Sequence, residues 1–269
     1  MKKIRMGMIG GGIGAFIGDA HRRASRICND FELVCGVFDA NFERSREFAA
    51  MEGIDLNRCY ESVDAMIAAE LKIPAGQRME VVSVVTPNAL HYPFAKSLLE
   101  NGFHVVCEKP MTMTVEEAVD LERLVEKHKR TFALTHTYTG YPMVRQMRDL
   151  IAGGALGTIQ RIDAQYYQGW INSIIHGTDS RITGVWRLDP KHAGVSSCMG
   201  DIGVHAFNLI EYTTGLEIKE VLSDLSPVKD DIKLDLDGTV LLRFGKNLKG
   251  VIRSSQVCGG EENCLTIAV

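Results

Sequence analysis

An α/β chain in two parts is what this sequence predicts. A doubly wound parallel sheet covers residues 1–135, and an α+β part with an open, mostly antiparallel sheet covers 136–269. Three observations predict it. Short Val- and Ile-rich runs in the first half are apolar on both faces, as parallel strands covered by helices on each side should be. Helix patterns alternate with those runs. After Gly215 the strand candidates follow one another through short turns such as Gly245-Lys246-Asn247, the pattern of an antiparallel sheet.

In chain order, the strand candidates of the first part are Ile4–Ile9, Leu33–Phe38, Val81–Thr86, His104–Cys107 and Phe132–Thr135. Glu43–Met51 follows Asp39 and reads as a helix. Ser62 caps a helix running to Leu71, and Leu90–Glu100 stops at Asn101-Gly102. Thr114-Val115-Glu116-Glu117 is a capping box ahead of Ala118–His128. In the second part a helix, Pro142–Ala152, leads into a strand candidate, Thr158–Tyr167. A loop-rich stretch follows, and a helix opens at Asp201. Four strand candidates complete the chain: Ile218–Leu225, Asp237–Phe244, Gly250–Gln256 and Leu265–Val269. The last one has no polar tail. An unpaired apolar edge is a liability, so further C-terminal strands beyond this sequence are expected.

Composition narrows the function classes. With 45% apolar and 24% charged residues over 269 positions, the chain has the make-up of a soluble globular protein. It is not that of a disordered, fibrous or mostly membrane-embedded one. Lys and Arg total 30 against 34 Asp and Glu, and no basic run is long enough to grip phosphate backbones. Nucleic acid is therefore a poor partner. The seven cysteines form no C-x-x-C pair, which argues against a disulfide framework or a structural zinc and for a reducing cytoplasm. Six glycines between Met6 and Gly18 make a poor signal-peptide core, and no membrane span is expected.

Those glycines carry the first functional signal. Strand Ile4–Ile9 runs into Gly10-Gly11-Gly12-Ile13-Gly14-Ala15, a match to G-x-G-x-x-G/A directly after a strand. Gly10 would make the tight turn, Gly12 would leave bare backbone for a pyrophosphate, and Ala15 would be the small residue where helix meets strand. The helix start that follows offers unpaired N–H groups to phosphates. Asp39 ends the second strand, where a carboxylate accepts hydrogen bonds from ribose hydroxyls and repels a 2′-phosphate, so NAD is preferred over NADP. Arg44 stands nearby as the counter-argument. The spacing from Gly10 to Asp39 is longer than usual, which predicts an insertion in the intervening helix or loop.

Chemistry-bearing residues cluster at other strand ends, where open α/β sheets bind ligands. Thr86-Pro87-Asn88 follows the third strand, with His91 one helical turn on. Glu108-Lys109-Pro110 follows the fourth, where the proline restricts Lys109 and aims it. In the second part, Asp201 and His205 stand at i, i+4, which places them on one helical face. His136, Tyr138, Tyr141 and Arg145 follow the fifth strand and suit a polar substrate cavity. No metal set is evident, because third and fourth ligands are missing at sensible spacing.

Taken together, the glycine turn, Thr86-Pro87-Asn88 with His91, Glu108-Lys109-Pro110, Trp186-Arg187 and the Asp201…His205 helix start resemble the Gfo/Idh/MocA oxidoreductases. That family includes glucose–fructose oxidoreductase and inositol dehydrogenase. The resemblance implies a Rossmann domain followed by an α/β domain whose open sheet often forms the oligomer interface, hence a homo-oligomer. It also implies hydride exchange between NAD(P) and a hydroxyl carbon of a sugar, cyclitol or related polyol. By position, Lys109 resembles the active-site lysine, an electrostatic stabiliser. His205 resembles the acid/base, with Asp201 beside it. The Thr86–His91 and Glu108-Lys109 segments would border the cofactor, and Trp186-Arg187 would approach the nicotinamide. Two departures stand out: Ala15-Phe16-Ile17-Gly18 look like extra residues in the turn, and family chains usually continue well past Val269. An NAD-recycling glycosidase acting by oxidation and elimination would use the same residues. A cofactor-binding regulator would not need the lysine and histidine.

Overall fold

The computed structural model describes residues 2–177 and 185–269. The chain divides into two compact units, Met1–Thr135 and His136–Val269.

In the first unit, β1 (Ile4–Gly10), α1 (Phe16–Cys28), β2 (Phe31–Val37), α2 (Phe42–Met51), α3 (Val63–Glu70), β3 (Val81–Val85), α4 (His91–Glu100), β4 (His104–Cys107), α5 (Val115–His128) and β5 (Phe132–Leu134) follow one another. The strands form one parallel sheet in the order β2-β1-β3-β4-β5. The period-2 geometry of a strand splits its side chains between two cores. From β3, Val82 and Val84 join α3, α4 and α5 residues such as Met66, Leu98 and Leu121 on one face. Val81 and Val85 join Met6, Met8 and the α2 residue Phe48 on the other. Every residue of β3 is buried, as an apolar run covered on both sides requires. Each fully buried Leu or Val here contributes about 2 kcal/mol of transfer free energy.

Helix starts follow their side-chain chemistry. Ser62 accepts from the Ala65 N–H, and Thr114 and Glu117 form the reciprocal capping box. Asn41, not Asp39, caps α2 through the Arg44 N–H. Leu90 belongs to a short 3-10 turn, Asn88–Leu90, so α4 begins at His91.

A buried ionic network braces the sheet's outer side. The Glu70 carboxylate is fully buried and accepts from Arg58 Nε (2.9 Å), Arg58 Nη2 (2.6 Å), Tyr60 Oη (2.9 Å) and the Met79 N–H (2.8 Å). Burial alone would raise its pKa, but these donors outweigh that and hold it below the usual carboxylate value. A depressed folded-state pKa means stability that is complete above the unfolded value and lost as pH falls through the folded one. Glu70→Gln keeps the shape but cannot accept from four donors. It is expected to cost about 3 kcal/mol at pH 7 in urea unfolding, with a smaller penalty at pH 3. Equal stability of the two proteins at pH 7 would refute this role.

The second unit contains α6 (Pro142–Ala152), β6 (Arg161–Tyr167), α7 (Ile171–Ile175), α8 (Pro190–Ala193), α9 (Val204–Thr214), β7 (Glu220–Ser226), β8 (Asp237–Arg243), β9 (Lys249–Ser255) and β10 (Cys264–Ala268). Its sheet runs β10-β6-β9-β8-β7. All neighbours are antiparallel except β6 and β9, which pair in parallel, so the sheet is mixed. That one parallel pair reflects the long connection through α9, since a parallel neighbour needs a crossover. Ala206 and Ile210 of α9 pack on Ile162, Val240, Leu242 and Ile252. Thr158 to Gln160, expected in the strand, lie before it, because β6 pairs only from Arg161 opposite Lys249. The helix expected at Asp201 is preceded by a π-helical turn, Met199–Gly203. Its start is capped from afar: the Ser197 and Met199 N–H groups donate to the Asp235 carboxylate at 3.0 and 2.8 Å. Asp201 therefore is not the residue satisfying these first donors. Among the described residues, no helix is long and apolar enough to cross a membrane.

Candidate active site

In the first unit, strand order reverses between β1 and β3, the position at which open α/β sheets bind ligands. The glycine turn after β1 and Thr86-Pro87-Asn88 after β3 both stand there. Gly10 and Gly11 adopt φ of 81° and 77°, a left-handed turn that a side chain would strain. A Cβ on Gly12 would fall 2.6 Å from the Phe38 carbonyl oxygen, to which the Gly12 N–H donates at 3.0 Å. Gly12 is thus bare because the end of β2 crosses it.

Two expectations for this turn need correction. Ala15 is only half-buried and is the N-cap of α1, with Phe16, Ile17 and Gly18 already helical. These residues are therefore the helix's first turn, not an insertion. The close helix–strand approach expected at Ala15 occurs at Gly18, whose Cβ would lie 2.3 Å from the Gly11 Cα. Ala15 supplies no capping side chain, so the first N–H groups of α1 remain suited to an anion.

Asp39 follows β2, partly exposed. It accepts from the Asn41 N–H at 2.9 Å and from Arg44 Nε at 3.1 Å. Thr86 Oγ1 is buried without a hydrogen-bond partner, a rare state for a hydroxyl and one that a polar ligand would relieve. The residues therefore fit a dinucleotide: a left-handed glycine turn, an uncapped helix start, a carboxylate beyond β2 and an unpartnered hydroxyl.

His91 takes a different place from the one its sequence suggested. It is 1% exposed, and its ring nitrogens lie 2.9 Å from the Thr86 carbonyl and 2.7 Å from the Pro110 carbonyl. Burial first lowers its pKa, and these backbone contacts only partly offset that. It straps the two strand-end segments together and presents no free edge to a ligand. Asn88 is buried beside it in the 3-10 turn after Pro87.

Glu108 is buried and Lys109 half-buried after β4, with a cis Lys109–Pro110 peptide. The Glu108 carboxylate lies 2.8 Å from His21 Nε2 and accepts from the Lys109 N–H at 3.3 Å. Burial would raise the Glu108 pKa, yet hydrogen bonds from His21 and Thr135 and the neighbouring positive charge of Lys109 hold it below the usual value.

In the second unit, His205 is 8% exposed near the start of α9. Its ring lies 4.9 Å from that of Tyr138, 5.9 Å from His136 and 6.0 Å from Tyr166. The Tyr138 and Tyr166 hydroxyls bond each other. Tyr166 also donates to Asn263 Oδ1 at 2.5 Å, and Gln168 donates to the same oxygen at 2.8 Å. Trp170 Nε1 in turn donates to Gln168 at 2.9 Å. Burial holds the Tyr166 hydroxyl far above the usual phenol pKa, so it stays protonated. Asp201 Oδ2 accepts from Arg187 Nε at 3.1 Å and Gln256 Nε2 at 3.0 Å. The Arg187 guanidinium stacks 4.4 Å from the Trp186 ring and 5.8 Å from the Trp170 ring.

His136 and Tyr138 thus meet His205 in one polar cluster. Tyr141 edges onto Tyr138 at 5.8 Å but is 53% exposed, and Arg145 lies exposed on α6. Sequence reasoning missed Tyr166, Gln168, Asn263 and Gln256. Tyr166 carried a signal, because it falls on the buried phase of an alternating strand.

Comparison with known proteins gives the family. Residues 4–136 match an oxidoreductase family with an NAD-binding Rossmann fold, Gfo/Idh/MocA, and residues 144–269 match the Gfo/Idh/MocA C-terminal domain. An uncharacterized oxidoreductase of Bacillus subtilis, YfiI, is 35% identical over 262 residues, 96% of this chain and 66% of the relative. An inositol dehydrogenase homologue of Azotobacter vinelandii, solved with NAD+, superposes with a TM-score of 0.93 at 34% identity, covering 99% of this chain and 68% of the other. The same homologue with NADH and myo-inositol gives a TM-score of 0.90 at 33% identity, covering 99% and 67%. The chain spans about two thirds of the length of these relatives.

Proposed function

The chain belongs to the Gfo/Idh/MocA oxidoreductase family, and from that premise we propose that it transfers a hydride between NAD(H) and a hydroxyl-bearing carbon of a sugar, cyclitol or related polyol. The observation that carries the reading is the His205 cluster. An imidazole titrates near neutral pH, and here it stands among hydroxyl and amide groups that suit a polyhydroxy ligand. Removing hydride from an alcohol carbon requires a base for the hydroxyl proton and a fixed positive charge for the oxygen. His205 is the base and Lys109 the charge. Asp201, held by Arg187 and Gln256, contributes a negative charge near the start of α9.

The glycine turn, the α1 N-terminus, Asp39 and Thr86 would hold the dinucleotide. NAD, when bound, supplies the hydride acceptor. The test is an absorbance screen at the reduced-nicotinamide band with myo-inositol, other cyclitols, sugars and sugar acids. NADH accumulating in step with substrate supports a dehydrogenase. Product release without NADH supports the recycling glycosidase, and no binding of NAD by calorimetry would overturn both.

Asp39 governs the choice of dinucleotide in this reading. Asp39→Ser removes the ribose-facing carboxylate and releases Arg44 from its ion pair. Loss of a charge-assisted bond of about 1.5–3 kcal/mol predicts NAD binding weakened by roughly tenfold or more. Binding of NADP should tighten, because the freed guanidinium suits a 2′-phosphate. Calorimetric titration with both dinucleotides decides it, and an unchanged NAD/NADP ratio would refute the assignment.

Assembly into a homo-oligomer through the second unit's sheet belongs to the same proposal. It is supported by the cross-strand pair Leu222 and Leu241, 69% and 52% exposed. A monomeric mass by light scattering at micromolar concentration would remove this part.

A further inference from the structure

Behind Lys109 lies a buried polar chain that starts on the glycine-turn helix. His21, in the second turn of α1, has both ring nitrogens engaged: Nδ1 lies 2.8 Å from Ser83 Oγ on β3, and Nε2 lies 2.8 Å from Glu108 Oε1 after β4. The other Glu108 oxygen accepts the Lys109 N–H. Side-chain exposure is 12% at His21 and 9% at Glu108, and Ser83 is fully buried. The next residue, Arg22, is also buried and donates to the Gly11 carbonyl at 2.6 Å. One helix therefore grips the glycine turn and, through a single carboxylate, the peptide that carries the lysine.

We propose that His21 is a positioning residue: through Glu108 it fixes the Lys109 peptide to the same helix that faces the dinucleotide phosphates. A carboxylate accepts only, so His21 Nε2 carries the proton in this contact. A carboxylate this buried needs its donors, and losing His21 would let Glu108 turn toward another partner and drop the Lys109 N–H. The geometry also says which replacement should serve. The Nε2 of a glutamine reaches where the histidine Nε2 stands, whereas the shorter asparagine amide reaches only toward Ser83.

The inference rests on the reading of Lys109 as the alcohol-facing cation. It is tested without substrate, so its failure is distinct from a failure of that reading. Amide hydrogen exchange is followed by NMR on the whole chain, in wild type and in His21→Ala, His21→Asn and His21→Gln. The Lys109 amide is expected to exchange about tenfold faster in the alanine and asparagine variants and to return near the wild-type rate in the glutamine variant. The Glu108 amide, bonded to the Val84 carbonyl, should keep its rate throughout. An unchanged Lys109 rate in His21→Ala, an equal acceleration at Glu108, or no rescue by glutamine would overturn the proposal. If His21→Ala does not fold, Glu108→Ala replaces it. Alanine offers no acceptor, so the Lys109 amide should again be deprotected, and an unchanged rate there would refute it equally.

Discussion

Turnover is expected to fall by about 10²–10⁴-fold in His205→Ala and by about 10²–10³-fold in Lys109→Ala, with NAD affinity within a few-fold of wild type in both. The reason is a division of labour along the chain. In the proposed function the dinucleotide is held by the glycine turn, the α1 start, Asp39 and Thr86, a set that includes neither residue. The same proposal gives the hydroxyl proton to the imidazole and the developing negative charge to the ammonium. His205 is also packed, with three aromatic rings within 6.0 Å. Alanine there removes contacts as well as a base, and a drop in melting temperature would confuse the two. His205→Asn keeps most of the volume and a polar edge but cannot cycle a proton near neutral pH. It should therefore melt close to wild type and still turn over as poorly as alanine. Near-normal turnover in Lys109→Ala, or in His205→Asn, measured on the best substrate of the screen, would remove the residue concerned from the mechanism.

What the sequence reveals depends on the range of the interaction. The parallel sheet was readable because Val81–Val85 and its neighbours are apolar on both faces, a property of the strand itself. The caps at Ser62 and Thr114 were readable because both partners lie within one turn. Asp235 capping the Ser197–Met199 turn was not, since the carboxylate comes from 36 residues away or more. The same holds for Glu70, whose burial depends on Arg58, Tyr60 and Met79 meeting it in space. In the cluster around His205, His136 and Tyr138 declared themselves as polar candidates by residue type. Asn263 and Gln168 did not, because amides are common on surfaces and only the fold turns these two toward Tyr166. His91 carried the opposite error. A histidine after a strand-end Thr-Pro-Asn reads as a ligand, while its two backbone contacts make it a strap.

Gly18→Ala sets helix propensity against packing, and packing is expected to win. Inside a helix, alanine ordinarily stabilises by close to 1 kcal/mol over glycine, so propensity alone predicts a more stable protein. At Gly18 the added Cβ would sit 2.3 Å from the Gly11 Cα, 2.8 Å from its carbonyl oxygen and 3.0 Å from its carbonyl carbon. Those are backbone atoms, and the Gly11 carbonyl is held further by Arg22 Nη1. No rotamer change relieves the overlap, so α1 must move off the turn. Overpacking of this kind costs about 1–3 kcal/mol or more, which outweighs the propensity gain and predicts a melting temperature lower by several degrees. The displaced helix start should also lose its aim at the phosphates, weakening NAD far more than the stability loss alone explains. Ala15→Gly is the matched control, because Ala15 is half-exposed and its side chain caps nothing; it should bind NAD nearly as wild type does. A Gly18→Ala protein that melts higher and binds NAD unchanged would show that the turn and α1 do not touch as described, and the assignment of the glycine turn as the phosphate cradle would fall with it.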